Sequence, residues 1–145
     1  RSLGCWLAAR LQTKHGATPA CAAAENGHEG CLRLLHGFGC DMGQPDDLGE
    51  TPAFVAADNG HEGCLRLLHG FECDMGQPTN KGATPAYIAA EEGHEGCLQI
   101  LFHANADMKL SYILQARFHH RSKLQKLVAT AVAFCSSRLH WKPLL

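Results

Sequence analysis

The 145-residue sequence repeats itself at a fixed interval of 33 residues. A Thr-Pro-Ala phrase, with a glycine two residues ahead of the threonine, occupies residues 16–20, 49–53 and 82–86. A second phrase, Gly-His-Glu-Gly-Cys-Leu, keeps the same step at residues 27–32, 60–65 and 93–98. A fixed period of this length is typical of stacked units, each of which contacts only its neighbours.

Each unit carries the signals of two short helices. In the first copy, Thr18 can cap a helix through its hydroxyl, and Pro19 takes the first helical position, where its missing N–H costs nothing. An alanine-rich stretch follows, and Gly27 ends this helix. A second helix with a leucine stripe comes next. Polar stretches at 41–49 and 74–82 then separate one helix pair from the next.

The period, the Thr-Pro phrase and both helix signatures together resemble the ankyrin repeat over residues 12–108. The resemblance implies an all-α, ankyrin-like repeat solenoid of helix-turn-helix units with short hairpin-like finger loops. It implies three repeats, at residues 12–44, 45–77 and 78–108. Residues 1–11 fit the repeat poorly, and we expect there either a degenerate repeat or an N-terminal cap.

The period fails after residue 108, and residues 109–145 have apolar side chains at helical spacing. We expect a basic helical C-terminal cap or tail. Three interpretations stay open for this segment. It could be a cap on the last repeat, an amphipathic helix for a membrane surface or a partner groove, or the product of an imperfect gene model.

Charge is distributed unevenly along the chain. Residues 1–108 hold six Lys and Arg against fourteen Asp and Glu, a net charge of −8, whereas residues 109–145 hold seven Lys and Arg and no acid. An acidic repeat body favours a basic protein partner and argues against binding nucleic acid. No apolar run approaches the roughly 18–20 residues of a transmembrane helix.

Eight cysteines first suggest disulfides or zinc, but six of them lie inside the repeats: Cys21, Cys31, Cys40, Cys64, Cys73 and Cys97. We expect them to pack as small hydrophobes in a reducing compartment, the cytoplasm or the nucleus. In each Gly-His-Glu-Gly-Cys phrase, His and Cys could share a metal ion. Copies that stack about 10 Å apart supply only two ligands each, so we expect neither a metal nor another cofactor.

The sequence also argues against catalysis. A zinc-protease motif would need a second histidine four residues after His28, and position 32 is leucine. We find no nucleophile elbow, phosphate loop or dinucleotide fingerprint. The protein is therefore predicted not to be an enzyme.

The ankyrin resemblance implies that a partner protein binds on the concave side, at the finger tips and the ends of the inner helices. These positions vary between copies whose scaffold hardly changes, and Leu48 is expected to be an exposed apolar anchor. The candidate partner-binding residues are Lys14, His15, Ala17, Glu25, Asn26, Asp47, Leu48, Glu50, Asp58, Asn59, Asn80, Lys81, Ala83, Glu91 and Glu92.

We therefore predict a protein–protein interaction module, a scaffold or adaptor. The alternative is a targeting domain from a larger multidomain signalling enzyme, and a metal or redox module is a third class. The family's Thr-Pro-Leu-His phrase is altered here, since alanine replaces leucine and Cys21, Phe54 or Tyr87 replaces histidine. The smaller alanine removes core volume, which Phe54 and Tyr87 are expected to restore. Glycines inside the second helices each cost up to about 1 kcal/mol, so we expect modest stability.

Overall fold

The computed structural model describes residues 15–104, and it contains three pairs of helices. The helices are α1 (Pro19–Glu25), α2 (Glu29–Gly37), α3 (Pro52–Asp58), α4 (Glu62–Gly70), α5 (Pro85–Glu92) and α6 (Glu95–His103). No strand occurs within residues 15–104, so the predicted all-α repeat fold is confirmed. The interpretations of residues 1–11 and 109–145 lie outside the described residues.

The first helix of each pair begins and ends as predicted. The hydroxyl of Thr18 accepts the backbone N–H of Cys21 at 3.2 Å, and the threonines of the other two copies accept equivalent bonds at 3.2 Å. At the other end of α1, Gly27 has a φ of +69°. This left-handed residue turns the chain so that the N–H of His28 donates to the C=O of Ala23 at 2.8 Å. At each end of the helix, one backbone group is therefore satisfied within the same repeat.

The helices form two layers. Helices α1, α3 and α5 lie side by side as an inner layer, and α2, α4 and α6 form an outer layer that packs on it. The inner layer buries alanines, among them Ala24, Ala57 and Ala90, while the outer layer supplies buried leucines. Small alanine side chains let neighbouring helices approach closely. Within residues 15–104, no helix combines the length and the apolar character needed to cross a membrane.

The sequence predicts that Phe54 and Tyr87 restore the core volume lost where alanine replaces leucine, and the structure differs from this expectation. Phe54 is buried but lies outside the main core cluster, and Tyr87 is only half-buried and lies outside it as well. Met42 and Met75, which come from the bases of the fingers, instead belong to the cluster. Methionine suits irregular gaps because its side chain is unbranched and flexible. The fingers therefore add two large side chains to the core cluster, beside the leucines of the outer helices.

A histidine ring joins each later repeat to the one before it. Nε2 of His61 lies 2.9 Å from the C=O of Glu25, and Nε2 of His94 lies 3.0 Å from the C=O of Asp58. Because a carbonyl can only accept, this ring nitrogen carries the proton. Both carbonyls end an inner helix and lack an intrahelical partner. The histidine of the repeated phrase therefore bonds one repeat to the preceding one.

The glycines near the start of the outer helices make room for a side chain of the preceding repeat. A Cβ atom on Gly63 would collide with the carboxylate of Glu29, and a Cβ atom on Gly96 would collide with that of Glu62. At Gly30, no atom of the described residues lies within 4 Å of the same position. The carboxylates lie at helix N-termini, where the helix dipole favours negative charge. These glycines therefore have a packing role in addition to their cost.

Replacing these glycines by alanine should separate the two effects. We expect Gly30→Ala to raise the free energy of unfolding by up to about 1 kcal/mol, because alanine is the better helix former. Gly63→Ala should gain less or lose stability, since the Glu29 carboxylate must move. Urea denaturation measures both. Adding Glu29→Ala to Gly63→Ala should restore the gain, and equal gains for the two glycine variants would contradict the contact.

The first two repeats are nearly identical, but they carry different residues at one position where the backbone is left-handed. Gly39 has a φ of +73°, and Glu72, at the equivalent position, has a φ of +60°. A residue with a Cβ atom is destabilised by about 1–2 kcal/mol in this left-handed conformation. Part of this difference is offset because glycine loses more chain entropy than other residues on folding. We expect Glu72→Gly to stabilise the protein by roughly 0.5–1 kcal/mol in thermal unfolding. Gly39→Glu, the matched variant, should destabilise it, and no change in either would contradict the strain.

Candidate partner-binding surface

The tip of the middle finger is a closed turn organised by Asp46. Its Oδ1 atom accepts the N–H of Leu48 at 2.9 Å and the N–H of Glu50 at 2.8 Å. Its own N–H donates to the C=O of Glu50 at 3.0 Å. In the next finger, the hydroxyl of Thr79 accepts the N–H of Ala83 at 3.2 Å. Each tip is therefore held from within, which leaves its outward side chains free to differ.

Hydrogen bonds also join neighbouring fingers. The N–H of Asp47 donates to the C=O of His15 at 3.2 Å, and the N–H of Asn80 donates to the C=O of Leu48 at 3.0 Å. The side-chain amide of Asn80 adds a bond to the C=O of Asp47 at 3.0 Å. The fingers are thus fixed relative to one another and can present a continuous edge.

One column of the fingers, at the 33-residue step, contains His15, Leu48 and Lys81, and all three side chains are exposed. Leu48 is the apolar member, and 47% of its surface is accessible. An exposed apolar side chain is not stabilised by contact with water, unlike the histidine and the lysine on either side of it. It is the part of the finger edge best suited to an apolar contact.

The inner helices present acids beside half-buried apolar residues. Along α3, Val55, Asp58 and Asn59 share one face at helical spacing, whereas the remaining residues of the helix are buried. The other inner helices repeat this arrangement. We call the resulting set the acidic face: Ala22, Glu25, Val55, Asp58, Ile88, Glu91 and Glu92.

The carboxylates of the acidic face act on one another and on the finger. Burial raises the pKa of Asp58, and the charges of Glu92 and Glu91 raise it further. Burial also raises the pKa of Glu50, with additional repulsion from Asp46 and Asp58. Lys81 and His15 lower the pKa of Glu50, and His94 lowers that of Asp58, but in each case by less than the burial and repulsion raise it. The finger and the inner helix ends therefore form one negative surface, on which a bound cation would relieve repulsion.

The structure places none of the predicted binding residues that it describes in the interior. Lys14 lies outside the described residues. The half-buried ones are Ala17, Glu50, Ala83 and Glu91. The exposed ones are His15, Glu25, Asn26, Asp47, Leu48, Asp58, Asn59, Asn80, Lys81 and Glu92. Their role in binding stays a prediction.

Three of these residues also stabilise the scaffold. The side-chain amides of Asn26 and Asn59 donate to the C=O groups of Ala22 and Val55, each at 2.9 Å, and so cap the inner helices. Asn80 joins two fingers, as described above. A substitution of any of these asparagines would change the scaffold as well as the surface, so they are poor probes of binding.

Sequence reasoning missed Asp46 and the apolar residues of the acidic face. A signal for both exists in the 33-residue register. The column that runs Ala22, Val55 and Ile88 changes in size between copies, as the exposed columns do. Asp46 is replaced by Thr79, another residue whose side-chain oxygen can close a turn. Comparing columns instead of phrases would have found them.

The thiols that are buried within residues 15–104 have raised pKa values. Burial, followed by the nearby carboxylate of Glu62, raises the pKa of Cys97 to about 11. Burial likewise raises the pKa of Cys21 and Cys64. Because the thiolate is the reactive form, these side chains are poor nucleophiles. In the same range, no three His, Cys, Asp or Glu side chains come together in a way that could hold a metal ion.

Comparison with protein-family models identifies the class of protein. A model described as ankyrin repeats, in three copies, matches residues 4–75 and again residues 20–111. These matches cover well over half of the chain, and they agree with the paired helices and the two-layer packing. The chain belongs to the ankyrin repeat family.

Membership in the family carries a general function. Ankyrin repeats are generally protein–protein interaction modules and are typically non-catalytic. A search of the curated proteins finds no match to the chain.

The repulsion at Asp58 predicts a pH-dependent effect on stability. A carboxyl whose pKa is raised by folding binds protons more tightly in the folded state, so its ionised form destabilises the fold at neutral pH. We expect Asp58→Asn to stabilise the protein at pH 7 by less than about 0.5 kcal/mol. The gain should vanish as the pH falls through the raised pKa towards the ordinary value of 3.8.

Urea denaturation at pH 7 and at pH 3.5 measures the effect of Asp58→Asn. Glu72→Gln, which removes a charge outside the acidic face, is the matched control. A gain for Asp58→Asn that is the same at both pH values would show that the carboxylate charge is not its cause.

Proposed function

We propose that the repeat array holds a basic protein partner against the acidic face and the finger tips, in the cytoplasm or the nucleus. The observation that carries the proposal is the row of acids at the C-terminal ends of all three inner helices. Glu25 ends α1, Asp58 ends α3, and Glu91 and Glu92 end α5. Negative charge at a helix C-terminus opposes the helix dipole and costs about 0.3–1 kcal/mol per residue.

The row of acids therefore works against the stability of the scaffold that carries it. The mutual repulsion at Asp58 adds to that cost. A basic partner would reverse both effects, because its cations would lie near the helix C-termini and between the carboxylates. This is the physical reason to expect Lys or Arg side chains on the partner. It also argues against nucleic acid, whose phosphates the same face would repel.

Apolar groups on the same surface favour a protein partner over a simple polycation. Leu48 projects from the finger edge, and Val55 and Ile88 lie half-buried beside the acids. A basic segment with apolar side chains on one side would meet both kinds of contact. The acids would then contribute to association rate and specificity, and the apolar contacts to affinity.

The free thiols support an intracellular location. Cys21, Cys31, Cys64 and Cys97 are free in the structure, and a population of unpaired thiols is typical of a reducing compartment. The binding of an intracellular protein is consistent with that setting.

Differential capture tests the proposal. The parent chain and a variant with Leu48→Ala, Asp58→Arg and Glu91→Arg are immobilised, and the proteins that each retains from a cell lysate are compared. The matched control carries Leu34→Ala, Glu72→Arg and Glu95→Arg, the same types of change outside the proposed surface. We expect a basic protein that the parent and the control retain and the first variant loses.

Binding measurements with the purified partner then determine how much the charges contribute to affinity. Affinity should fall by at least about tenfold for the first variant, which corresponds to about 1.4 kcal/mol, and should weaken as salt is raised. Circular dichroism must show unchanged helix content in both variants. Equal affinity of the parent and the first variant would move the binding site elsewhere, and an acidic partner would contradict the proposed charge complementarity.

A further inference from the structure

Two of the three inner helices end at an asparagine that precedes a glycine. Asn26-Gly27 follows α1, Asn59-Gly60 follows α3, and both asparagine side chains are exposed. An Asn-Gly pair is chemically labile, because the backbone nitrogen of the glycine can attack the side-chain amide of the asparagine. Glycine hinders this attack least, since it has no Cβ atom and its backbone rotates freely. The two pairs are therefore candidate sites of deamidation.

The deamidation reaction consumes only water. The glycine nitrogen forms a bond to Cγ of the asparagine and closes a cyclic imide, a succinimide. The bond from Cγ to Nδ2 breaks, and the amide leaves as ammonia together with the proton of the glycine N–H. Water then opens the ring at either carbonyl, which gives aspartate or isoaspartate. One water is consumed for each ammonia released, and nothing is oxidised or reduced.

The folded helix ends hold both pairs in a conformation that cannot close this ring. Asn26 has a ψ of 3°, and Asn59 has a ψ of 0°. At this angle the glycine nitrogen eclipses the backbone nitrogen of the asparagine and lies away from its Cβ, so the chain must rotate about ψ before attack. The leaving amides are also engaged, since each donates to a helix carbonyl at 2.9 Å. Deamidation therefore requires the helix end to open locally.

A histidine ring from the following repeat lies over each pair. A Cβ atom on Gly27 would lie 2.9 Å from Cε1 of His61, and one on Gly60 would lie 2.8 Å from Cε1 of His94. Nε2 of each ring also bonds to the C=O of the residue just before the asparagine, at 2.9 Å and 3.0 Å. The ring thus contacts the chain on both sides of the asparagine. Opening of the helix end must break these contacts.

We propose that Asn26 and Asn59 are sites of spontaneous deamidation, and that the histidine of the following repeat protects each of them. The sequence of the third repeat agrees with this pairing. It has Glu92 in place of the asparagine, and position 127, one period after His94, is leucine. The labile pair therefore occurs in the two repeats that are followed by the histidine and is missing from the third.

Deamidation would change both the scaffold and the acidic face. A carboxylate at position 26 or 59 cannot donate to the helix carbonyl, and its charge opposes the helix dipole. Each conversion also places an acid next to Glu25 or Asp58, so the first two repeats would gain the paired acids that Glu91 and Glu92 form in the third. A junction that opens would therefore leave permanent negative charge on this surface. The chemistry of the two sites does not depend on the proposed function.

Deamidation rates at each asparagine test the proposal in the full chain. The protein is incubated at neutral pH, both folded and in concentrated urea, and aspartate and isoaspartate are measured by mass spectrometry of tryptic peptides. Cleavage at Arg33 and Arg66 separates Asn26, Asn59 and Asn80. Asn80 is the internal reference, because a lysine follows it instead of a glycine. Each rate in the folded protein is divided by the rate of the same variant in urea, which removes the direct effect of the neighbouring sequence.

His61→Ala is the test variant, and His28→Ala is its matched control. His61 contacts the Asn26-Gly27 pair from the next repeat, whereas His28 directly follows that pair in its own turn. We expect His61→Ala to raise the normalised rate at Asn26 by about threefold to tenfold, the factor by which the loss of one hydrogen bond shifts an opening equilibrium. The control should leave this rate unchanged. His94→Ala should have the same effect on Asn59 and none on Asn26.

Several results would overturn the proposal. If Asn26 and Asn59 react no faster than Asn80 in urea, the pairs are not labile. If they react as fast in the folded parent as in urea, the fold does not protect them. If His61→Ala leaves Asn26 unchanged, or if His28→Ala accelerates Asn26 equally, the following repeat is not the source of the protection.

Circular dichroism identifies a variant that has lost helix content. In that case His61→Gln and His28→Gln replace the alanine variants, since glutamine keeps a side-chain donor but removes the ring over Gly27. A higher normalised rate at Asn26 in His61→Gln than in His28→Gln supports the proposal, and equal rates overturn it.

Discussion

The whole array depends on the contact between one repeat and the next. A unit of two short helices cannot bury its apolar side chains alone, and it makes no contact beyond its neighbours. At each junction the same groups meet: a histidine ring reaches the last turn of the preceding inner helix, and a glutamate lies over a glycine. The junctions also differ, since Phe71 stacks on His36 while Ala104 occupies the place of Phe71 in the next copy. The stacking of His36 on Phe71 therefore has no equivalent at position 104.

The histidine and glutamate side chains at the junctions are kept between copies, whereas the side chains of the finger tips and the acidic face vary. Because fingers and helix ends are closed by their own hydrogen bonds, a change at Leu48 or Asp58 leaves the backbone in place. The scaffold can then tolerate residues that lower its stability, such as acids at helix C-termini. Under the proposed function, a basic partner bound at these helix ends would offset the cost of the acids.

Features that depend on local backbone rules could be predicted from the sequence. Thr18 and Pro19 define a helix start and Gly27 a helix end wherever they occur, and the 33-residue step then orders the units. Features that depend on the distance between two stacked repeats could not be predicted from the sequence. The step does not reveal that His61 reaches Glu25, that Gly63 leaves room for Glu29, or that methionines from the fingers fill the core instead of Phe54. For the predicted binding surface, the exposed acids followed from the family resemblance. The apolar residues beside them could have been found from the variation of their 33-residue column, but their half-burial needed the packing to be seen.

The cysteine of the repeated phrase shows how far position can override sequence. His-Glu-Gly-Cys occurs three times with identical neighbours on both sides, and a reading of the phrase alone assigns all three thiols the same chemistry. In the array, Cys97 is buried and the pKa of its thiol rises to about 11, while Cys31 is exposed on α2. The neighbour that buries Cys97 also places the carboxylate of Glu62 beside it, so packing and charge act together against the thiolate. In a repeat protein, the reactivity of a residue is therefore a property of the junction and not of the repeat.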